Sequence, residues 1–169
     1  MWSRPEYAFT LLLAVLMLLA GCSYHLSSAA PVALPQGMTR LALDSVSQPS
    51  TESWMEPYLR RSLRDELARR GQITWVSRDA AQGLIRLKVT SYSDSGLRQS
   101  SDEDTVKSEI RIAGEAQIFE SASSQRVWNS GQVQTNVSYQ TDNESSTAAG
   151  KDAVDDFIER LVDRLGSGF

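Results

Sequence analysis

The sequence predicts an α+β fold, a two-layer sandwich in which two helices pack on one face of a mixed sheet of four or slightly more strands. The long strand segments alternate apolar and polar residues, so each has a single apolar face. Two other segments repeat apolar residues at helical spacing. Helices on both faces would need strands that are apolar on both sides, so both helices are expected on the same face.

An export signal ending in a lipid-attachment site is the clearest feature of the N-terminal segment. Residues 7–19 form an apolar run that is shorter than the roughly 20 residues a transmembrane helix needs. The stretch Leu19-Ala20-Gly21-Cys22 has the pattern of a lipobox, in which a peptidase cuts before a lipid-modified cysteine. We expect residues 1–21 to be the signal peptide. Diacylglycerol and an N-acyl chain, both covalently attached to Cys22, are the only nonprotein groups expected.

The residues after Cys22 predict a tether and a destination. Two or three acyl chains anchor a protein stably, whereas one chain holds it only marginally. Ser23 stands where the inner-membrane retention signal of enterobacterial lipoproteins has an aspartate. We therefore expect an anchor in the inner leaflet of the outer membrane, facing the periplasm. Residues 22–37, rich in small residues and proline, are predicted to be the tether, and residues 38–169 a single α+β domain.

Composition limits the classes of partner and the sources of stability. The formal net charge of −4 argues against a nucleic-acid partner. Because Cys22 is the only cysteine, its lipid would leave no thiol for an internal disulfide. Stability is then expected to come from packing.

Residues 39–71 are predicted to form a strand followed by a helix. Apolar and polar residues alternate over 39–46, the period of a half-buried strand. Ser53 and Glu56 have the spacing of a helix-capping box, and a glycine follows the last apolar position. Opposite charges, including Glu66 and Arg70, are expected to pair along the exposed faces. The apolar stripe of this helix comprises Met55, Leu59, Leu63 and Leu67.

The remaining sequence is predicted to add four strands and a second helix. The strands cover residues 73–76, 84–92, 106–119 and 127–140, with a polar loop at 93–104. In the strand at 84–92, alternation places Val89 on the apolar side and Tyr92 on the polar side. The final helix starts at Ser146 or Thr147 and carries an apolar stripe of Val154, Phe157, Ile158, Leu161 and Leu165.

One face of the predicted sheet is left uncovered and polar. Arg86 and Lys88 share this face with Lys107 and Arg111 of the probable neighbouring strand, a basic cluster that could hold phosphate. Ion pairs across a wetted sheet are the alternative explanation of the same residues. The last strand is uncharged on this face, where it carries Gln132, Gln134, Asn136 and Ser138.

Arg98 differs from the strand residues because it lies in the polar loop next to Leu97. Neither residue has an evident structural role there. An apolar side chain beside a guanidinium suits contact with a lipid that carries a phosphate headgroup.

Catalytic motifs are scarce in this sequence. His25 is the only histidine and lies in the predicted tether, which argues against a serine or cysteine triad in the domain. Metal-ligand spacings, a phosphate loop and a nucleophile elbow are all missing. We expect a noncatalytic protein, with a lipid-anchored hydrolase built on paired carboxylates as the alternative.

Several short motifs, in their order and spacing, resemble the LptE family of LPS-assembly lipoproteins. The resemblance covers essentially the whole mature chain. It implies a small sheet with two helices on one face, in agreement with the fold class predicted above. The motifs are Gly21-Cys22-Ser23-Tyr24-His25-Leu26, Leu34-Pro35, Thr51-Glu52, Arg70-Gly71 and Thr90-Ser91-Tyr92-Ser93.

The resemblance also implies partners. It implies an outer-membrane lipoprotein seated inside the β-barrel LPS translocon LptD, acting as plug and assembly aid and binding LPS. A barrel interior is hydrophilic, so the uncharged residues Gln132, Gln134, Asn136 and Ser138 are expected to face the barrel. The candidates for LPS binding are Arg98, Arg86, Lys88 and Arg111.

The sequence differs from the LptE family in one respect, and it also allows an alternative function. The strand at 127–140 has no lysine or arginine between Trp128 and Thr141, although LPS binding in the family is associated with basic residues on and near the sheet. An auxiliary lipoprotein of a phospholipid-trafficking transporter or of a peptidoglycan synthase would have a similar size and anchor.

Overall fold

A computed structural model describes residues 32–71, 73–97, 107–141 and 144–167 of the chain. One six-stranded sheet is covered on a single face by two helices, which confirms the predicted α+β class. The elements, in order, are β1 (Arg40–Ser47), α1 (Met55–Arg70), β2 (Thr74–Trp75), β3 (Gly83–Leu97), β4 (Lys107–Glu120), β5 (Arg126–Asn129), β6 (Val133–Gln140) and α2 (Ser146–Ser167).

The sheet is mixed, and β4 pairs with three of the other strands. The strand order is β2-β1-β3-β4-β5, and β6 also pairs with β4. β1 runs parallel to both β2 and β3, whereas β4 is antiparallel to β3, β5 and β6. α1 is the crossover between the parallel strands β1 and β2, as parallel pairing requires.

The core lies between the helices and the inner face of the sheet. The predicted stripes of both helices are buried, and Phe157 of α2 is fully enclosed. Ile85, Leu87 and Val89 of β3 and Ile110, Ile112, Ala116 and Ile118 of β4 pack against them. Burial of these apolar side chains is the main source of stability in a chain of this size.

A bulge in β3 changes which residues face the helices. Val89 pairs with Gly114, but Ser91 pairs with the next residue along, Ala113, so Thr90 is an extra residue in β3. Beyond it, Tyr92 turns toward the core. The expectation that Tyr92 lies on the polar face is therefore wrong. β3 also continues to Leu97, five residues into the predicted polar loop, because it stays paired with β4.

The predicted strand at 127–140 is broken into β5 and β6. β5 pairs with residues 117–119 of β4, and β6 pairs with residues 107–114. At the break, Gly131 has a φ of 64°, a conformation that glycine adopts without strain. Arg164 of α2 donates hydrogen bonds to the carbonyl oxygens of Ser130 and Gln132, at 2.7 and 2.9 Å.

The two helices are joined by polar contacts at their common border. Arg70 is enclosed, with 3% of its side chain exposed, and lies 2.6 Å from Glu66 and 2.5 Å from Asp163. The Glu66–Arg70 pair exists as predicted, but Arg70 is buried between the helices rather than exposed. Tyr58 of α1 donates a hydrogen bond to Asp155 of α2 at 2.8 Å. Burial, followed by this hydrogen bond, raises the pKa of Tyr58 to about 12.

The last part of the predicted tether packs on the domain. Val32 and Leu34 are buried in the core, and the Val32 N–H donates to the carbonyl oxygen of Arg70 at 3.1 Å. The folded part of the chain therefore includes residues 32–37, six residues ahead of the expected boundary. No helix within the described ranges is long and apolar enough to cross a membrane.

Substituting Gly114 should destabilise the fold because β3 and the Phe157 ring leave no room for a side chain there. A Cβ at this position would lie 2.3 Å from the carbonyl oxygen of Lys88 and 2.9 Å from Cζ of Phe157. We expect Gly114→Ala to lower the free energy of unfolding by about 1–3 kcal/mol, as overpacking does. Chemical denaturation measures the change.

Gly96→Ala is the matched control for that measurement. Gly96 lies in the same hairpin, and a Cβ there would meet nothing within 4 Å. Its effect should stay within about 0.5 kcal/mol. Equal losses for the two variants would contradict the close approach at Gly114.

Candidate functional site

The sheet face opposite the helices, called here the outer face, carries a strip of uncharged polar side chains. β3 and β6 supply the strip from the two sides of β4, and the register aligns their residues in three cross-strand rows. We define the polar strip as Ser91, Ser93, Ser95, Gln134, Asn136 and Ser138, all of which are exposed. Hydroxyl and amide groups of this kind can both donate and accept hydrogen bonds.

The β3 half of the polar strip was not predicted. Without the extra residue Thr90, alternation from Val89 would have turned Ser91, Ser93 and Ser95 toward the helices. The bulge reverses this and places the three serines on the outer face. A serine at every second position is the only sequence signal that they share a face.

The four expected barrel-facing residues lie at one edge of the outer face. Gln134, Asn136 and Ser138 point outward from β6, and all three are exposed. Gln132 lies just before β6, at the break, and its amide donates to the hydroxyl of Thr90 at 2.8 Å. Gln132 is thus tied to the bulge.

An ion pair stands in the middle of the polar strip. Arg111 donates from Nε and Nη2 to the two carboxylate oxygens of Glu109, at 3.2 and 2.8 Å. The Glu109 side chain is only 9% exposed, whereas Arg111 remains 53% exposed. The hydrogen bonds from Arg111 lower the pKa of Glu109 against the opposing effect of burial, and Asn136 adds a further hydrogen bond. The charge of Arg111 is therefore balanced locally.

Arg86 is also held by a carboxylate. Its Nε donates to Asp44 of β1 at 2.7 Å, and its guanidinium lies 4.3 Å from the ring centroid of Phe119. Arg78 binds the same carboxylate. Lys88 is exposed, faces Glu115 in the register, and makes no salt bridge to another described residue. Of the predicted basic cluster, Arg86 and Arg111 are in ion pairs, one across strands and one along a strand.

The outer face is not polar throughout. At the end of the sheet where β1, β3 and β4 pair, Ala42, Leu84 and Phe119 form one cross-strand row. Ala81 and Val76 pack onto this row, and together they form a second, smaller apolar cluster. The expectation of a wholly polar face is corrected here, because the turn at Arg78–Ala80 covers this end of the sheet.

Two of the predicted site residues, Cys22 and Arg98, lie outside the described residues, as does His25. Among the residues with described positions, no group of three or more histidine, cysteine, aspartate or glutamate side chains could hold a metal ion.

Comparison with known protein families shows which family the chain belongs to. The model of the family described as "LptE: Lipopolysaccharide-assembly" matches residues 38–167. The chain belongs to the LptE family. The match runs from just before β1 to the end of α2, so the LptE domain includes the whole outer face. No curated protein sequence matches the chain.

Solved structures of similar shape support the fold of this LptE domain. A minor lipoprotein from Acinetobacter baumannii is 15% identical with a TM-score of 0.50, covering 77% of this chain and 92% of its own. The uncharacterized lipoprotein B from Nitrosomonas europaea is 11% identical with a TM-score of 0.54, covering 81% of this chain and 87% of its own. At these identities the similarity concerns the fold alone.

Removing Arg111 should raise the pKa of the Glu109 carboxyl, because the hydrogen bonds from Arg111 are the largest cause of its low value. A folded-state pKa below the unfolded value means that the pair stabilises the fold at neutral pH. This contribution is lost as the pH falls through the folded-state pKa. Arg111→Gln should therefore lower the melting temperature at pH 7 more than at pH 3, and carboxyl NMR titration should show the shift of Glu109 directly.

Arg61→Gln serves as the control for Arg111→Gln. Arg61 pairs with Asp65 on α1, where both side chains are at least 70% exposed. Exposed pairs of this kind contribute little, so this variant should change neither the Glu109 titration nor the melting temperature appreciably. An unshifted Glu109 in Arg111→Gln would contradict the assignment.

Proposed function

We propose that this LptE-family protein is a noncatalytic, lipid-anchored subunit of the LPS export machinery of the outer membrane. In this proposal the domain sits inside the LptD β-barrel, with the polar strip against the barrel wall, and binds LPS. Family membership and the chemistry of the outer face support the proposal.

The polar strip is the observation that carries the proposal. The interior of a transmembrane β-barrel is polar and closed, so a protein that fills it needs hydrogen-bonding groups without a large net charge. The strip provides hydroxyl and amide groups from two strands. The charged pair among them, Glu109 and Arg111, is internally neutral. A surface that faces only water usually carries many charged side chains, so it would not require a strip of uncharged polar residues.

The anchor is the second part of the proposal. Residues 1–21 would be removed, and Cys22 would carry acyl chains in the inner leaflet of the outer membrane. The ten residues from Cys22 to Val32 can span at most about 35 Å. Val32 lies beside the last turns of α1 and α2, through its bond to Arg70 and its proximity to Gly166. This end of the domain would therefore stay close to the membrane.

Photocrosslinking tests the contact with the barrel. A photoreactive residue at Gln134 or Asn136, in the full-length protein expressed in cells, should form a crosslink to a large β-barrel protein. The exposed position Asp152 on α2 controls for nonspecific reaction. A barrel adduct from both strip positions supports the proposal. If both positions instead crosslink a transporter subunit or a peptidoglycan synthase, or nothing at all, the LptD assignment fails.

LPS binding should depend unequally on the four candidate residues, which are three arginines and one lysine. Arg86 and Arg111 already bind carboxylates, whereas Lys88 makes no salt bridge within the described part of the chain. We expect Lys88→Glu and Arg98→Glu to weaken LPS binding several-fold without lowering the melting temperature, and Arg86→Gln and Arg111→Gln to act less. Binding of purified protein to LPS measures the order. Unchanged binding in both charge-reversal variants would remove these residues from the site.

A further inference from the structure

A basic cleft opens at the edge of the sheet where β2 ends. It lies between α1, β1 and the turn at Arg78–Ala80, and its volume is about 340 Å³. Pockets of this size suit small ligands. Three arginines, Arg60, Arg64 and Arg78, line it, together with Trp75 and a single carboxylate, Asp44.

The cleft has a surplus of positive charge. Asp44 is 7% exposed and binds both Arg78 and Arg86, so one buried carboxylate is shared by two guanidinium groups. Arg60 is paired with Glu56 at 2.8 Å, and Arg64 has no carboxylate partner among the described residues. Among the lining residues, three guanidinium groups therefore face one carboxylate, a surplus of two. Asp79, in the neighbouring turn, does not line the cleft.

The arginines can bind a ligand in addition to the carboxylate of Asp44. Arg78 and Arg86 keep 65% and 46% of their side chains exposed, so N–H donors remain available beyond Asp44. Arg64 lies 5.2 Å from the centroid of the Trp75 ring, and the Trp75 indole donates to the Arg64 carbonyl oxygen at 3.3 Å. A stacked guanidinium loses less freedom on binding than a free one.

The floor of the cleft adds an open sheet edge. β2 pairs with β1 only at Arg40 and Leu41, so β1 has no strand neighbour on this side from Ala42 onward among the described residues. Unpaired backbone N–H groups on such an edge are donors that suit an anion. The cleft thus combines positive charge, hydrogen-bond donors and a cavity, although the net charge of the whole chain is −4.

We propose that this cleft binds a phosphate monoester. Such a group carries about two negative charges at neutral pH, matching the surplus of two guanidinium groups, and its oxygens suit the arginine forks. The monoester could belong to a soluble molecule or to a lipid headgroup. The site is separate from the polar strip, and the proposal does not rest on the function proposed above.

The test uses the full-length protein in detergent, with nitrogen-15 label in its tryptophans, and follows the indole N–H signal of Trp75 by NMR. Glycerol 3-phosphate is the soluble probe, and phosphatidic acid in mixed micelles is the lipid probe with the same phosphate monoester. Potassium chloride at equal ionic strength controls for screening. We expect a saturable shift that is at least tenfold weaker in Arg64→Gln and in Arg78→Gln. Arg61→Gln, on another face of α1, should leave it unchanged.

Each outcome decides the proposal or the source of the ligand. An arginine-dependent shift with glycerol 3-phosphate supports a site open to soluble monoesters, and one with phosphatidic acid alone supports a headgroup site. Three results would overturn the proposed phosphate site: equal shifts with potassium chloride, no shift with either probe, or shifts that persist in both variants. Melting temperatures of the variants establish that any loss of binding occurs in folded protein. The Trp75 substitution is not used, because it would remove the reporter.

Discussion

The bulge in β3, opposite Gly114 of β4, determines the character of both faces of the sheet. Without a side chain there, the Phe157 ring and the Lys88 carbonyl can both lie within van der Waals distance of the strand. β3 takes in its extra residue, Thr90, at this point. Every side chain beyond the bulge changes face, so Tyr92 and Asp94 turn inward and three serines turn outward. Asp94 then accepts a hydrogen bond from Tyr139 of β6 at 2.9 Å, which ties the hairpin across the sheet.

Charge compensation differs between the surfaces of this protein. Arg70 is enclosed and forms ion pairs with acidic groups from both helices, as a buried guanidinium requires. Glu109 and Arg111 neutralise each other inside the polar strip. In the cleft near β2, by contrast, two arginines share Asp44 and Arg64 rests on an indole. In the first two arrangements every arginine is paired with a carboxylate. In the cleft, guanidinium groups outnumber carboxylates, and this surplus is what distinguishes a binding surface from a structural ion pair.

Sequence periodicity predicted the fold class, both apolar stripes and most strands, because burial on one face imposes a fixed spacing on each element. It failed where a single residue changes the register. At Thr90 and at Gly131 the alternation of apolar and polar residues gives no sign of the bulge or the break. The pattern therefore predicts a regular strand where the backbone is interrupted. Charge pairing within α1 predicts an exposed Arg70, because it gives no information about a second helix packed beside it. For the candidate site, the outward residues of β6 were predicted. The cleft was not, because its residues come from three separate segments, which spacing along the chain cannot relate.

The break between β5 and β6 shortens the strands at the open edge of the sheet. A continuous strand over residues 126–140 would present a long row of unpaired backbone groups at the edge of the sheet. Instead the edge consists of strands of four and eight residues, and Arg164 occupies two of the carbonyl oxygens between them. A second copy arriving edge to edge would find its template interrupted. The glycine and the arginine at this break thereby interrupt the continuous edge that strand-by-strand polymerisation would need.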